Sequence, residues 1–492
     1  MKTAIRAMLF ALAAPFSFAA AQEQPPIITP AQELTLLARD YSQADLDRMG
    51  RAAFEAVISV APTKLKSVGF RFVEISEMRD VLREELLPQM LVQVEDKESA
   101  ESSARTTADV MANAVIAKFA TGTGEVLVVR DNLFELAGLL KMEELASKEV
   151  MDAVLCHEVA HALDNHHHPF RRLFATVKDT NGLHAMNALI EGHAQFVARR
   201  ACAKVGNLRG FKLFTSSIDF LPETEDAGAE YMGRIAVAQF SFAYKDGERF
   251  IAALVKAKGA GVIKQVFDAP PEDSILISEP SWYLDPTLRP EQPYDFERTL
   301  GRFESTLDKQ TPDFWTMTKV ELLGPQISAA FSVLPKERYE EAVKDILECR
   351  VLIAQNPRGD GAMISAGLFA LPTGPKAEYI LELELAMIEA KRAQLPNGVR
   401  IEDSLVEELL LTDTAQFEGV WVDQIILVGD KEITNFAVLG RRGQAVVELN
   451  FIGFPISRKD AVSMAEQLLQ APAGKVKGEV EIGDSDKPDD AK

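Results

Sequence analysis

The chain has 492 residues, of which 47% are apolar and 26% are charged, and its formal net charge is −21. This length predicts two folded domains, and the composition is that of a globular protein. The acidic balance argues against nucleic acid and anionic membrane surfaces as partners.

The first 21 residues are predicted to be a secretory signal peptide. Lys2 and Arg6 supply a basic start, an apolar run follows at 7–18, and three alanines at 19–21 fit a cleavage site. Cleavage would remove two positive charges, so the net charge would become −23. Because the apolar run is short for a membrane span, we expect an exported protein, periplasmic or extracellular, with no stable membrane insertion after cleavage.

Apolar periodicity predicts the elements of a first domain at 22–305. In chain order these are a helix at 44–60, a strand at 69–75, helices at 77–90 and 99–119, a strand at 125–129, a helix from 148 onward and a second helix around 184–195. The linker 163–182, which carries His166, His167 and His168, is predicted to be a solvated loop.

An H-E-x-x-H motif runs from His157 to His161 in the helix that begins at 148. Two histidines four residues apart project from one face of a helix, where both imidazoles could bind a single zinc ion. Glu158 lies about 100° around the helix and could deprotonate an attacking water without being a ligand. The alternative is an amphipathic helix with two incidental histidines, although the chain has only seven.

Glu191, on the second helix, is predicted to be the third ligand. Ala185, Ala188 and Gly192 form a stripe of small residues that Glu191 borders. Glycine inside a helix costs stability, so its presence predicts that this stripe packs closely on the zinc helix. A short carboxylate needs that approach to reach the metal.

Other side chains compete for the third position or could support it. His193 is a common zinc ligand, but it lies two residues from Glu191 and therefore faces another side of the helix. Asp164 lies beyond the imidazoles on their own face and is better placed to orient a ligand from behind. Gln195, one turn after Glu191, could do the same from the second helix.

These residues resemble the gluzincin metallopeptidases, and most closely the group that reads H-E-L-T-H-A-L-x-x-x-H and then A-L-x-E-G-[DE]-A. The resemblance covers roughly residues 60–290 and is carried by three blocks, at 157–167, 188–194 and 244–284. It implies a mainly helical, zincin-like domain with Zn²⁺ on His157, His161 and Glu191 and with Glu158 as the base.

Two positions depart from that group: His193 stands where an acidic residue is usual, and Glu279 where a histidine often precedes the proline. Analogy with such enzymes favours an edge strand at 125–129, along which an extended peptide could hydrogen-bond. The alternative is a strand in the interior of the core. The donor that would stabilise the oxyanion stays open between Tyr244, Tyr231 and His184.

The second domain, at 306–473, is predicted to be a smaller α+β module of unknown role. Its elements are helices at 337–349, 377–394 and 457–470, a strand at 363–371 and an antiparallel meander at 420–428, 432–439 and 444–451. No histidine follows His193, so no histidine-based site lies in it. Residues 474–492 are charged and poor in apolar residues, which predicts a disordered acidic tail.

The sequence as a whole predicts an α+β zinc metallopeptidase that acts on a peptide or protein substrate. One alternative is an exported zinc- or peptide-binding protein without turnover, and another is a non-peptide hydrolase. Three cysteines, Cys156, Cys202 and Cys349, do not make a disulfide framework. Whether Cys156 and Cys202 pair, and the oligomeric state, stay open.

Overall fold

The structure is a computed structural model that describes residues 34–93, 97–218, 234, 237–290, 294–310, 316–355, 362–393, 399–409, 417–428 and 431–470. The predicted signal peptide, the predicted acidic tail and Tyr231 lie outside these ranges. Within them, no helix is both long enough and apolar enough to cross a membrane.

Two units of mixed helix and sheet make up the chain, which confirms the α+β class. Each unit uses more than one stretch of sequence. Unit 1 consists of Met1–Arg289, Val320–Lys344 and Glu389–Gly398, and unit 2 of Pro290–Lys319, Asp345–Ile388 and Val399–Lys492.

Unit 1 is mainly helical. Its α-helices up to residue 289 are α1 (Gln43–Ile58), α2 (Ile75–Gln93), α3 (Lys97–Met111), α4 (Asn132–Leu139), α5 (Lys148–His167), α6 (Phe170–Phe174), α7 (Thr180–Lys204), α8 (Leu208–Ser217), α9 (Gly247–Lys258), α10 (Val262–Asp268), α11 (Ile275–Ser278) and α12 (Pro280–Leu284). A π-helical turn, Phe242–Asp246, leads directly into α9.

Helices α5 and α7 form the centre of unit 1, and both begin at side-chain caps. Ser147 accepts a hydrogen bond from the Val150 N–H, and Asp179 accepts one from the Gly182 N–H, which satisfies donors that a helix N-terminus leaves unpaired. Every residue of α5 from Ala153 to Asp164 is buried. A helix that is buried all round belongs to the interior of a domain, so polar side chains on this helix need partners or a function.

A three-stranded sheet lies beside these helices in unit 1, with β1 (Gly69–Phe72), β2 (Ala117–Ala120) and β3 (Glu125–Val128) in the order β1-β3-β2. Strand β3 pairs in parallel with β1 and antiparallel with β2. The prediction that 125–129 forms an edge strand is therefore wrong, because β3 is central and β1 and β2 are the edges.

Strand β2 occupies residues that were predicted to be helical. Helix α3 ends at Met111, whereas the predicted helix runs to 119. The Asn132 side chain donates to the carbonyls of Ala112 and Val115, at 2.8 Å each. These bonds use acceptors at the end of the helix, and the chain then turns into β2.

Unit 2 is built around one antiparallel sheet. Its strands are β4 (Thr316–Glu321), β5 (Glu348–Gln355), β6 (Met363–Ala370), β7 (Val399–Leu409), β8 (Glu418–Val428), β9 (Lys431–Arg442) and β10 (Ala445–Ile452), in the order β4-β5-β6-β10-β9-β8-β7. The predicted meander is confirmed as β8, β9 and β10.

Helices cover the sheet of unit 2. Among the described residues, the helices after residue 289 are α13 (Phe296–Gln310), α14 (Gly324–Phe331), α15 (Lys336–Lys344), α16 (Gly374–Ala393) and α17 (Arg458–Leu469). Of these, α14 and α15 belong to unit 1. Side chains of α13 and α17 share one apolar core with β6 and β10. The helix predicted at 337–349 is too long, because α15 ends at Lys344 and the next residues enter β5.

Candidate metal centre

Helices α5 and α7 bring three side chains together at one point in unit 1. His157 Nε2 lies 2.9 Å from His161 Nε2 and 3.1 Å from Glu191 Oε2, and His161 Nε2 lies 3.3 Å from the same oxygen. Both imidazoles are buried, whereas the Glu191 side chain is 26% exposed. These three residues could hold a metal ion.

The spacing of the three atoms fits one small cation. Ligand atoms bound tetrahedrally at 2.0–2.1 Å lie about 3.3 Å from one another, which is close to the separations found here. Two imidazole nitrogens and one carboxylate oxygen would leave a fourth position open, as in catalytic sites. The donor set therefore fits a divalent ion that accepts nitrogen and oxygen ligands.

The charges of the cluster also fit a site for a cation. Burial disfavours the charged form of His161, but the Glu191 carboxylate outweighs it, so the pKa of His161 lies above its usual value. Burial likewise opposes ionisation of Glu191, yet His161 and His157 hold its pKa well below the usual value. The cluster thus favours an ionised carboxylate facing a positive charge.

Behind the cluster, His193 and Asp164 form a buried pair of their own. His193 Nδ1 lies 2.9 Å and 2.8 Å from the two carboxylate oxygens of Asp164. The expectation that Asp164 orients a ligand imidazole is therefore wrong, because its partner is His193. Among the described residues, neither His157 Nδ1 nor His161 Nδ1 has a hydrogen-bond partner.

Glycines set the approach of the next helix to α7. A Cβ on Gly192 would lie 2.1 Å from the carbonyl carbon of Gly247, and a Cβ on Gly247 would lie 2.1 Å from the Ala188 carbonyl oxygen. The small residues Ala188 and Gly192 thus face the start of α9, and the prediction that their stripe packs on the zinc helix is wrong. Only glycine permits this contact between backbones.

This crossing brings Tyr244 over the cluster. Tyr244 lies in the π-helical turn three residues before Gly247, and its ring stacks on His157 with centroids 5.5 Å apart and planes 18° apart. Burial raises the pKa of its hydroxyl, and the nearby carboxylates of Glu191 and Glu158 raise it further. Of the three candidate oxyanion donors, Tyr244 is therefore the one in contact with the cluster.

Glu158 is held by the edge strand. Its Oε2 accepts a hydrogen bond of 2.6 Å from the Phe119 N–H of β2. Because Glu158 is buried and is not one of the three convergent side chains, its carboxylate is positioned beside them by the backbone of another element. This contact was not predicted from the sequence, because Phe119 falls within the helix predicted at 99–119.

A cavity of about 250 Å³ opens beside the cluster. Glu158, His161, Glu191 and Tyr244 line it, and further apolar lining comes from Leu82, Leu86, Met90, Met111, Val115, Phe240 and Phe242. Glu279 is not among the described residues that line it. The cavity therefore joins an ionic group of residues to an apolar wall.

An ion pair that was not predicted from the sequence also lines this cavity. Lys118 Nζ on β2 lies 2.8 Å from Glu85 Oε2 on α2, and the backbone N–H and the hydroxyl of Thr121 donate to Oε1 of Glu85 at 2.7 Å each. Burial opposes both charges, but the pair raises the pKa of Lys118 and lowers that of Glu85. The cation is thereby fixed near Glu158 and Glu191.

The remaining candidate histidines have other surroundings. His184 lines the cavity, and burial lowers its pKa to about 4, so it is neutral at pH 7. His166 and His167 lie on the last turn of α5 rather than in a loop. His167 Nε2 is 3.1 Å from Thr63 Oγ1, and His168 stacks on Phe267.

No protein-family model matches the chain, and no curated protein matches it. Among solved structures, the extracellular domain of PknH from Mycobacterium tuberculosis aligns at 13% identity over 36% of this chain and 96% of that chain, with a TM-score of 0.25. A likeness this weak supports no conclusion on fold or function, so the resemblance to gluzincins stays a prediction.

Proposed function

We propose that this protein is an exported zinc metallopeptidase of the gluzincin type, with a zincin-like fold in unit 1. The observation that carries the proposal is the convergence of His157 Nε2, His161 Nε2 and Glu191 Oε2 within 3.3 Å of one another. The non-ligand carboxylate of Glu158 lies beside them in the same cavity. Export rests on the predicted signal peptide.

Zinc suits this group of donors better than calcium or magnesium, because two of the three are imidazoles. When bound, it would polarise a scissile carbonyl and make a water molecule more acidic. His157, His161 and Glu191 would hold it and leave one position open to the cavity.

Glu158 would be the general base. Its carboxylate would take a proton from the attacking water and then pass that proton to the leaving amine. The hydrogen bond from the Phe119 N–H holds one oxygen of the carboxylate, which leaves the other oxygen for the water. Fixing the base in advance lowers the entropy cost of the reaction.

Tyr244 would stabilise the oxyanion. Its ring is held against His157, and Tyr244 lines, together with Glu191, the cavity in which a substrate would bind. A donor aimed at developing negative charge contributes mainly to the transition state. A peptide or protein would enter the cavity beside β2, whose residues Ala117 and Lys118 line it.

The test is a digestion of mixed peptides by the mature chain, with parallel elemental analysis of zinc. We expect close to one zinc per chain, hydrolysis that a chelator abolishes, and recovery on adding zinc. Glu158→Gln should keep the zinc and lose about 10²–10⁴-fold in rate. Glu149→Gln is a matched control on the same helix, because its carboxylate binds the Thr35 N–H instead.

Other results of these assays would support a different function. Zinc binding without peptide hydrolysis would favour the alternative of a binding protein without turnover. Hydrolysis of an ester or amide panel but not of peptides would favour a non-peptide hydrolase. A Glu158→Gln variant that hydrolyses peptides at the parent rate would refute the mechanism.

A further inference from the structure

Two carboxylates bind the outer edge of strand β2. Glu158 Oε2 on α5 accepts a hydrogen bond of 2.6 Å from the Phe119 N–H. Glu85 Oε1 on α2 accepts one of 2.7 Å from the Thr121 N–H. N–H groups two residues apart leave the same edge of a strand, and the opposite edge of β2 pairs with β3. Two helices thus hold one strand edge, each through one carboxylate.

Glu85 binds the chain on both sides of Phe119. Its Oε2 lies 2.8 Å from Nζ of Lys118, the residue before Phe119. Its Oε1 accepts from the hydroxyl of Thr121, two residues after Phe119, at 2.7 Å, in addition to the Thr121 N–H. Hydrogen bonds to an ionised group are stronger than neutral ones, and the Glu85 side chain is only 17% exposed. Glu85 therefore fixes the backbone that carries the Phe119 N–H.

Glu158 depends on this backbone for its orientation. The last torsion of a glutamate side chain has a broad, roughly two-fold preference, so a hydrogen bond decides which way the carboxylate points. The Phe119 N–H supplies such a bond, and it does so only while β2 stays in place. A shift of β2 by about 1 Å would lengthen that 2.6 Å bond beyond hydrogen-bond range.

We infer that Glu85 is a positioning residue for the general base Glu158, and that it acts through the backbone of β2. By holding Lys118 and Thr121, it fixes the Phe119 N–H that orients the base. Glu85 also lines the cavity, but its two oxygens already accept from three donors, so we assign it no contact with the reacting atoms. The inference rests on the proposed function, because Glu158 is a base only in that mechanism.

The first experiment measures peptide hydrolysis by the mature chain with Glu85→Ala, which removes both oxygens that hold β2. We expect kcat to fall by on the order of 10–10²-fold, because a base misplaced by about 1 Å acts poorly, with zinc content and KM unchanged. Glu84→Ala is the matched control, since Glu84 is the exposed neighbour on the same helix, and it should keep the parent kcat. A Glu85→Ala variant with the parent kcat would overturn the inference.

A conservative double variant tests whether the bonds themselves matter. Glu85→Gln with Lys118→Met keeps an amide oxygen for both donors of Thr121 and leaves no charge unpaired. It should recover most of the kcat that Glu85→Ala loses, and a double variant as slow as Glu85→Ala would contradict the inference. If Glu85→Ala does not fold, Lys118→Met alone, which removes one of the three bonds, should show a smaller loss of kcat with the same KM.

A measurement on the metal-free protein separates this inference from the proposed function. The Phe119 amide signal, identified in protein with isotope-labelled phenylalanine by its absence from Phe119→Leu, reports the bond to Glu158 directly. Glu85→Ala should raise the hydrogen-exchange rate of this amide by on the order of 10-fold, and Glu84→Ala should not. A parent chain that hydrolyses no peptide would refute the proposed function, whereas an unchanged exchange rate in Glu85→Ala would overturn the inference whatever the activity.

Discussion

Glu191 and His193 lie two residues apart on α7 and have different partners. Glu191 meets the two imidazoles of the motif, and His193 meets Asp164. We predict that Glu191→Ala loses most of the zinc, measured by elemental analysis, because one of three ligands is removed. His193→Ala should keep the zinc but lower the free energy of unfolding by about 3 kcal/mol, since it leaves a buried carboxylate without its partner.

Two variants of Asp164 separate the loss of a zinc ligand from the loss of the buried His193–Asp164 pair. Asp164→Ala should also keep the zinc, and Asp164→Asn should be milder because an amide can still bond to the imidazole. If His193→Ala strips the zinc while Glu191→Ala does not, a three-histidine site should replace the proposed one.

Tyr244 contributes a hydroxyl whose role can be tested apart from its ring. Tyr244→Phe should keep the stack on His157 and the zinc content, because only one oxygen is removed. We expect kcat for peptide hydrolysis to fall on the order of 10²-fold with little change in KM. His184→Gln is the matched control at the rival donor, and a larger loss there would assign the oxyanion role to His184.

Among single residues, the sequence was sufficient to predict those site residues whose positions follow from helical spacing. The four-residue interval of His157 and His161 fixes their common face, and Glu191 does meet them. Lys118 and the Phe119 N–H were not predictable, because both depend on which strand lies next to α5. That is a long-range contact, for which local spacing carries no signal.

At the level of elements, the contact of α7 with the start of α9 depends on two glycines. Gly192→Ala would place a methyl group 2.1 Å from the Gly247 backbone, so one helix must move. We predict a loss of about 3 kcal/mol in the free energy of unfolding, measured by denaturant titration, and reduced activity because Tyr244 moves with α9.

The matched control is Gly138→Ala in α4, where an added Cβ would meet nothing within 4 Å. Removing a helical glycine there should stabilise the protein by about 0.5–1 kcal/mol. If the two variants have the same stability, the close contact does not matter energetically.

Element types were easier to predict than element neighbours. Helices α1, α5 and α7 were predicted from their apolar residues. The helix predicted at 99–119 extends beyond the true end at Met111, because alanine-rich sequence favours helix. The side chain that bonds to the chain just after this end is Asn132, which lies 20 residues after Ala112. The stripe of small residues was recognised, but its partner helix was not.

Across the whole molecule, we predict that zinc protects α5 and α7 from hydrogen exchange. A ligand at 1,000 times its Kd stabilises the state that binds it by about 4 kcal/mol, so protection of these helices should rise by up to about 10³-fold. Peptides from β6 and β10 in unit 2 serve as internal controls and should not change. Equal protection with and without zinc would contradict the site.

The sheet of unit 2 shows which strands can be predicted from their composition and which cannot. Its apolar strands β6, β8, β9 and β10 were predicted, whereas β4, β5 and β7 were missed. Strand β7, Val399–Leu409, carries four acidic residues among eleven, namely Glu402, Asp403, Glu407 and Glu408, and such a strand has little apolar alternation to detect. Edge strands are often charged because exposed pairing groups promote aggregation.

The π-helical turn Phe242–Asp246 accommodates one more residue than an α-helical turn would. With Gly247 fixed against Ala188, deletion of one residue from this turn would restore α-helical phase and rotate the preceding chain by about 100°. Tyr244 would then lose its place over His157 although no side chain of the site had been substituted. The length of this segment is therefore as much a determinant of the aromatic contact as the identity of the tyrosine, and insertions or deletions here should be less tolerated than substitutions.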